Sequence, residues 1–236
     1  MPKNIKLFNF KSNEKPNKHL QDHPYLHKNF RMVICGVSGS GKTQFLYNLL
    51  FTKEFLLKMV KESRSVFFIP STDVVDELAE IADTNNLDHE SFKIYPEWRE
   101  AFCEAEYSKL DKKQTNFFVF DDVSFLQNFS KVNKKNILDQ IVCAGRHKNA
   151  YSIMLTQRYT HLNENIRSNN CTVLVIFNGL NGKELDRIYV ENFSLMDRNA
   201  FDKLIKENLD EKFKFIIYNK KDDKLFNNNF EEILYK

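Results

Sequence analysis

Hydrophobic and polar positions along this chain switch between two periods. Residues 32–35 are a short apolar run that ends at a glycine-rich turn. Behind the turn, Phe45, Leu46, Leu49 and Leu50 recur at helical spacing, the stripe of an amphipathic helix. The succession then repeats. Residues 66–69 read as a strand stopped by Pro70, and Ser71 to Asp73 as the cap of a helix that turns Val74, Val75, Leu78 and Ile81 inward. Residues 92–95 are a weaker strand, and Pro96 opens a helix with Trp98, Ala101, Phe102 and Ala105 on one face. Residues 117–120 are a strong strand ending at Asp121. Ile137, Leu138, Ile141 and Val142 mark a helix, 152–156 a strand leading into Gln157, and 171–177 a long buried strand. Helices follow over 183–190 and 195–206, then a last strand over 213–218. Strands separated by helix-length segments imply parallel pairing, so the expected fold is α/β, a mainly parallel central sheet with helices on both faces.

The flanks are different. Residues 1–29 read as a polar N-terminal arm, 30–220 as one core, and 221–236 as a polar tail anchored by Phe226, Phe230, Ile233 and Leu234. His19, His23 and His27 stand four apart, but Pro24 interrupts the helix that would align them, so they read as solvated rather than metal-binding.

Composition adds limits. With 236 residues, 42% apolar and 28% charged, the chain has the make-up of one globular domain. The 22 Phe against 6 Gly reflect an A/T-rich coding bias more than an aromatic nucleic-acid platform. A net charge of +3 neither demands nor excludes DNA, which would be held locally or by several copies together. Cys35, Cys103, Cys143 and Cys171 form no C-x-x-C pair, which argues against a zinc finger and for a reducing compartment. The chain opens without an apolar leader, and no run reaches the roughly 18 residues of a membrane span, so a soluble protein is expected.

Chemistry concentrates first at Gly36-Val37-Ser38-Gly39-Ser40-Gly41-Lys42-Thr43, which fits G-x-x-x-x-G-K-[ST] between an apolar strand and an amphipathic helix. Glycines there let backbone N–H groups curl towards phosphate oxygens, and the helix start adds its positive dipole end. Lys42 would reach the β- and γ-phosphates and Thr43 would ligate Mg2+. Three of the six glycines of the chain lie in this loop, far more than chance would place there. The second element is Phe117-Phe118-Val119-Phe120-Asp121-Asp122, an apolar strand that delivers two acids. Asp121 suits Mg2+ and Asp122 suits a general base for the attacking water. A GTPase is the competing reading, because Asn219-Lys220-Lys221-Asp222 matches N-K-x-D. The Asp-x-x-Gly that class also needs is missing after Asp121, so 219–222 reads as a polar turn.

A third element joins Gly145-Arg146-His147 to Met154-Leu155-Thr156-Gln157-Arg158. An amide at a strand end can contact the γ-phosphate or its water, and an exposed arginine can reach a neighbouring subunit's nucleotide. With GVSGSGKT, FFVFDD, GRH, MLTQR and the stretch 162–177, the chain resembles the FtsK–HerA superfamily of DNA-pumping ATPases, specifically the vaccinia-type genome-packaging ATPases of large DNA viruses and virophages. The resemblance implies a RecA/FtsK-like P-loop fold with the Gln157 strand between the phosphate-loop strand and the Asp121 strand. It implies ATP and Mg2+ as ligands, Gln157 as γ-phosphate sensor, Arg146 as arginine finger in trans and Arg167 as a second candidate. It further implies a ring of five or six copies around double-stranded DNA, capsid or portal partners, no membrane, and a place in the virion or the viral factory of the host cytoplasm. A cellular or plasmid DNA transporter would share the same engine. Relatives outside the viral branch carry Asp-Glu where this chain has Asp121-Asp122, which bears on the base rather than on the Mg2+ ligand. The chain also ends soon after the core, so no nuclease domain is expected. Lys131, Lys134 and Lys135, in a loop after the acidic strand, are the candidate DNA contacts, touching phosphates without reading sequence.

Overall fold

The computed structural model describes residues 20, 23–69, 75–96, 99–121 and 137–235. Its strands are β1 (Arg31–Cys35), β2 (Ser65–Ile69), β3 (Phe92–Ile94), β4 (Asn116–Phe120), β5 (Ala150–Thr156), β6 (Val173–Phe177), β7 (Phe215–Asn219), β8 (Lys224–Phe226) and β9 (Glu232–Ile233). Among the described residues they form one nine-stranded sheet in the order β3-β2-β4-β5-β1-β6-β7-β8-β9. Pairing is parallel from β3 to β6 and antiparallel from β6 onward. The α/β expectation holds, and β5 lies between β1 and β4 as the resemblance implied.

The central strands are buried along their whole length, which is why β4 reads NFFVF and β6 reads VLVIF instead of alternating. Alternate side chains feed two cores. Ile34, Val119, Ile153 and Val175 face α1 (Lys42–Phe51), α2 (Leu57–Lys61) and α3 (Val75–Thr84). Val33, Phe118, Met154 and Leu174 face α4 (Glu100–Ser108), α5 (Ile137–Ala144), α6 (Gly182–Asn192) and α7 (Arg198–Asn208).

Several boundaries moved. Helix α4 starts later than Pro96, because Arg99 is still extended at φ −136°. Helix α7 starts later than 195, because the Asp197 carboxylate caps it by accepting from the N–H groups of Asn199 and Ala200, leaving Leu195 fully exposed before the cap. The expected cap at Ser71 to Asp73, Trp98 and His19 lie outside the described residues. His23 and His27 are buried, not solvated: Tyr25, Leu26 and Phe30 pack into the first core and draw the segment between them inward. The segment expected as a tail adds β8 and β9 to the sheet, with Phe226 in the first core and Phe230 packed against it.

Candidate nucleotide-binding site

The carboxyl ends of β1, β5 and β4 meet where the chain order reverses across the sheet, the place where open α/β sheets take ligands. Strand β1 runs into the loop Gly36 to Thr43, and α1 leads away. A Cβ on Gly36 would sit 2.5 Å from the Cβ of Phe177 and 2.7 Å from the Ser40 hydroxyl, so only glycine fits. The Gly36 N–H donates to the Thr156 carbonyl at 3.2 Å and ties the loop to the end of β5. Gly41, at the start of α1, has φ +98°, a conformation side chains disfavour. The buried Lys42 ammonium donates to the Gly36 and Val37 carbonyls at 2.8 and 2.9 Å, which holds it across the loop. The Ser40 hydroxyl is buried with no hydrogen-bond partner among the described residues, so a ligand oxygen could satisfy it.

Thr43, on the first turn of α1, faces β4. Its hydroxyl donates to the Asp121 carboxylate, 3.2 Å from Oδ2 and 3.4 Å from Oδ1. The Asp121 N–H is bonded to the Ile69 carbonyl at 2.8 Å, and the residue is 6% exposed. A hydroxyl and a carboxylate side by side are the kind of hard oxygen pair that could hold Mg2+. Tyr47, one turn further along α1, is buried near Asp121. Burial first, and then the charge of Asp121, push its phenol well above its usual range. Sequence reading passed over Tyr47, although it lies four residues after Thr43 and therefore on the same helix face.

Gln157 follows β5 directly and so stands between the phosphate loop and the end of β4. The Thr156 hydroxyl donates to the Arg158 carbonyl (2.8 Å) and accepts from its N–H (3.1 Å), folding the chain tightly around Gln157. Arg146 lies at the other end of the same strand, exposed on the 3-10 turn Gly145–Lys148. A seven-residue strand separates the two ends by roughly 20 Å, so Arg146 does not serve its own loop. Arg167 is engaged within the chain: it pairs with Glu191 at 2.7 Å, and its guanidinium lies 5.8 Å from the Tyr159 ring centroid. That leaves Arg146 as the exposed candidate. Asp122, Lys131, Lys134 and Lys135 lie outside the described residues.

The N-K-x-D match lies at the strand ends away from the glycine loop. Asn219 pairs with Val173 at the start of β6, opposite the phosphate-loop end. It is fully buried as the brace of the β7–β8 turn, donating to the Pro24 carbonyl and to Asp222 and accepting from the N–H groups of Lys221 and Asp222. Among the described residues there is no cluster of three or more His, Cys, Asp and Glu that could hold a metal ion. No described helix is long and apolar enough to cross a membrane.

A family model described as "Poxvirus A32 protein" matches residues 17–232. The chain belongs to the poxvirus A32 protein family. The resemblance carried by GVSGSGKT, FFVFDD, GRH and MLTQR leads to the same place. This A32-family chain is 29% identical over 142 residues to the DNA packaging protein OPG160 of vaccinia virus (strain Copenhagen), covering 56% of this chain and 47% of that protein. The variola virus OPG160 matches at the same identity and coverage. The match therefore spans about half the length of these relatives. Among solved structures, the genome packaging NTPase B204 from Sulfolobus turreted icosahedral virus 2, in complex with AMP, aligns with a TM-score of 0.65 at 15% identity, covering 89% of this chain and all of that one. The DNA-packaging ATPase B204 from Sulfolobus turreted icosahedral virus aligns at 0.64 and 19% identity with the same coverage. The pCW3 conjugation coupling protein TcpA aligns at 0.54 and 13%, over 80% of this chain and 57% of that one. At these identities the likeness is one of fold, and that fold is the P-loop sheet.

Proposed function

We propose that this A32-family chain is the ATP-hydrolysing engine of a motor that moves double-stranded DNA into a viral capsid. The observation that carries the reading is the Thr43–Asp121 pair beneath the glycine loop, with the Gln157 strand between the two strands that supply them. The names of the relatives, DNA packaging protein and genome packaging NTPase, support the cargo.

In this reading the loop N–H groups and Lys42 hold the β- and γ-phosphates. Thr43 and Asp121 hold Mg2+, which when bound neutralises charge building on the transferring phosphoryl group. Gln157 orients the attacking water and Asp122 accepts its proton. Arg146 completes the site of the next copy in a ring of five or six around the DNA. Lys131, Lys134 and Lys135 touch DNA phosphates, and capsid or portal proteins anchor the ring in the virion or the viral factory. The GTPase reading loses its support, because Asn219 and Asp222 brace a turn at the strand ends opposite the glycine loop.

The test is ATP turnover with and without double-stranded DNA, for the wild type and Lys42→Ala. DNA should stimulate turnover, and the variant should lose it by about 10²-fold or more. Turnover that ignores both DNA and Lys42→Ala would sink the motor.

A further inference from the structure

Beside the phosphate loop, between α1 and the turn that joins β8 to β9, lies a cavity of about 600 Å3. That is the size of a small-molecule site, and it opens directly onto Gly41 of the loop. Its walls are aromatic: Phe177 from the end of β6, Phe215 from the start of β7, and Phe213 and Phe230 from the turns. Rings already pack along it, Phe177 to Phe215 tilted at 5.2 Å and Phe215 to Phe230 edge-on at 6.0 Å between centroids. Phe213 nevertheless remains 58% exposed at the rim.

Two independent observations point to a ligand. Six described residues other than glycine have positive φ, and four of them are Asn or Asp, which tolerate it. The two bulky ones are Phe213 at +70° and Phe230 at +62°, and both line this cavity. A bulky side chain in that conformation is strained, and such strain collects at ligand clamps. The second observation is direction. Thr43 and Asp121 put the metal-binding, terminal-phosphate end of the site on the β4 side of β1. The other end of a nucleotide then leaves over β6 and β7, where Gly41 opens into the aromatic walls. The amides of Gln44, Asn48 and Asn228 also line the space, and an amide offers both a donor and an acceptor to a base edge.

We infer that this cavity is the purine pocket of the nucleotide carried on the phosphate loop, with Phe213 and Phe230 as the stacking faces and the β8–β9 turn as its wall. The inference rests on the nucleotide-binding reading above, and it gives the C-terminal hairpin a role in holding substrate.

The test is isothermal titration of the full chain with Mg-ATP and with inorganic tripolyphosphate, which lacks base and sugar. Phe213→Ala, Phe230→Leu and Lys42→Ala are compared with the wild type. ATP should bind more tightly than tripolyphosphate, and each Phe variant should weaken ATP by about tenfold, the scale of one lost base–aromatic stack, while leaving tripolyphosphate unchanged. The unchanged tripolyphosphate affinity also shows that the variant has folded. ATP affinity untouched in both Phe variants, with both ligands lost in Lys42→Ala, would put the base elsewhere and overturn the pocket alone. Equal loss of both ligands in the Phe variants would make the rings mere supports of the loop and overturn it too. Retention of both ligands by Lys42→Ala would instead bring down the phosphate-loop reading beneath it.

Discussion

His27 is 4% exposed, and its Nδ1 lies 2.9 Å from the Lys28 carbonyl, while Nε2 has no hydrogen-bond partner among the described residues. Burial holds its pKa down to about 4 from the usual 6.5. The Lys28 carbonyl and Asp222 oppose the shift, and Lys221 and Arg31 add to it. Because the folded value is depressed, the unfolded chain takes up a proton below pH 6.5 that the native chain refuses until about pH 4. Stability should therefore fall as pH drops through that window, by about 3 kcal/mol, and level off beneath it. His27→Gln should flatten this part of the profile in urea midpoints taken from pH 7 to 4; an unchanged slope would show that His27 titrates normally. Arg167 makes a second case. Its pair with Glu191 is largely buried, and Glu191 also accepts from Tyr159 at 3.0 Å with Arg187 3.6 Å away. Arg167→Ala should cost about 3 kcal/mol in unfolding free energy, the low end for breaking a buried pair, because Arg187 remains. Lost turnover without lost stability would return Arg167 to the catalytic candidates.

At the level of elements, the β7–β8 turn shows why a short motif misleads. Asn219-Lys220-Lys221-Asp222 matches a guanine-reading pattern, yet Asn219 spends its amide on Pro24 and on the turn. Asn219→Ala should lower stability by about 2 kcal/mol, since it leaves buried backbone groups unpaired, and should leave the ratio of ATP to GTP turnover where it was. A shift of that ratio in the variant would revive the guanine reading. Strand β5 shows the opposite. Its all-buried run and the Gln that ends it were readable from the sequence, and its insertion between β1 and β4 is what brings Gln157 to the phosphate end.

On the scale of the whole molecule, Arg146 and Gln157 flank the opposite ends of the same central strand. An arginine finger at Arg146 must then act on another copy. Arg146→Ala and Lys42→Ala should each abolish DNA-stimulated ATP turnover, the first through a loss of about 10³-fold or more. Mixing the two inactive proteins should recover part of it, because some interfaces then join an intact loop to an intact Arg146. No recovery on mixing, in a preparation that still assembles, would remove Arg146 from the neighbour's site.

The glycine loop was legible because its eight residues are contiguous and five of them carry a local requirement: glycine where a Cβ clashes or φ is positive at Gly36, Gly39 and Gly41, Lys42 bridging the loop carbonyls, and Thr43 bonded to Asp121. The central strands were legible because burial on both faces demands unbroken apolar runs. Tertiary structure alone decided the rest. Tyr25 meets Phe230 at 4.8 Å between ring centroids, and Phe45 meets Phe215 at 4.7 Å, across separations that no local pattern encodes. Those contacts draw the described end of the expected arm, residues 23–29, and the expected tail onto the core and build the aromatic cavity. Periodicity reports which face of an element is buried; which distant element buries it is settled only when the whole sheet assembles.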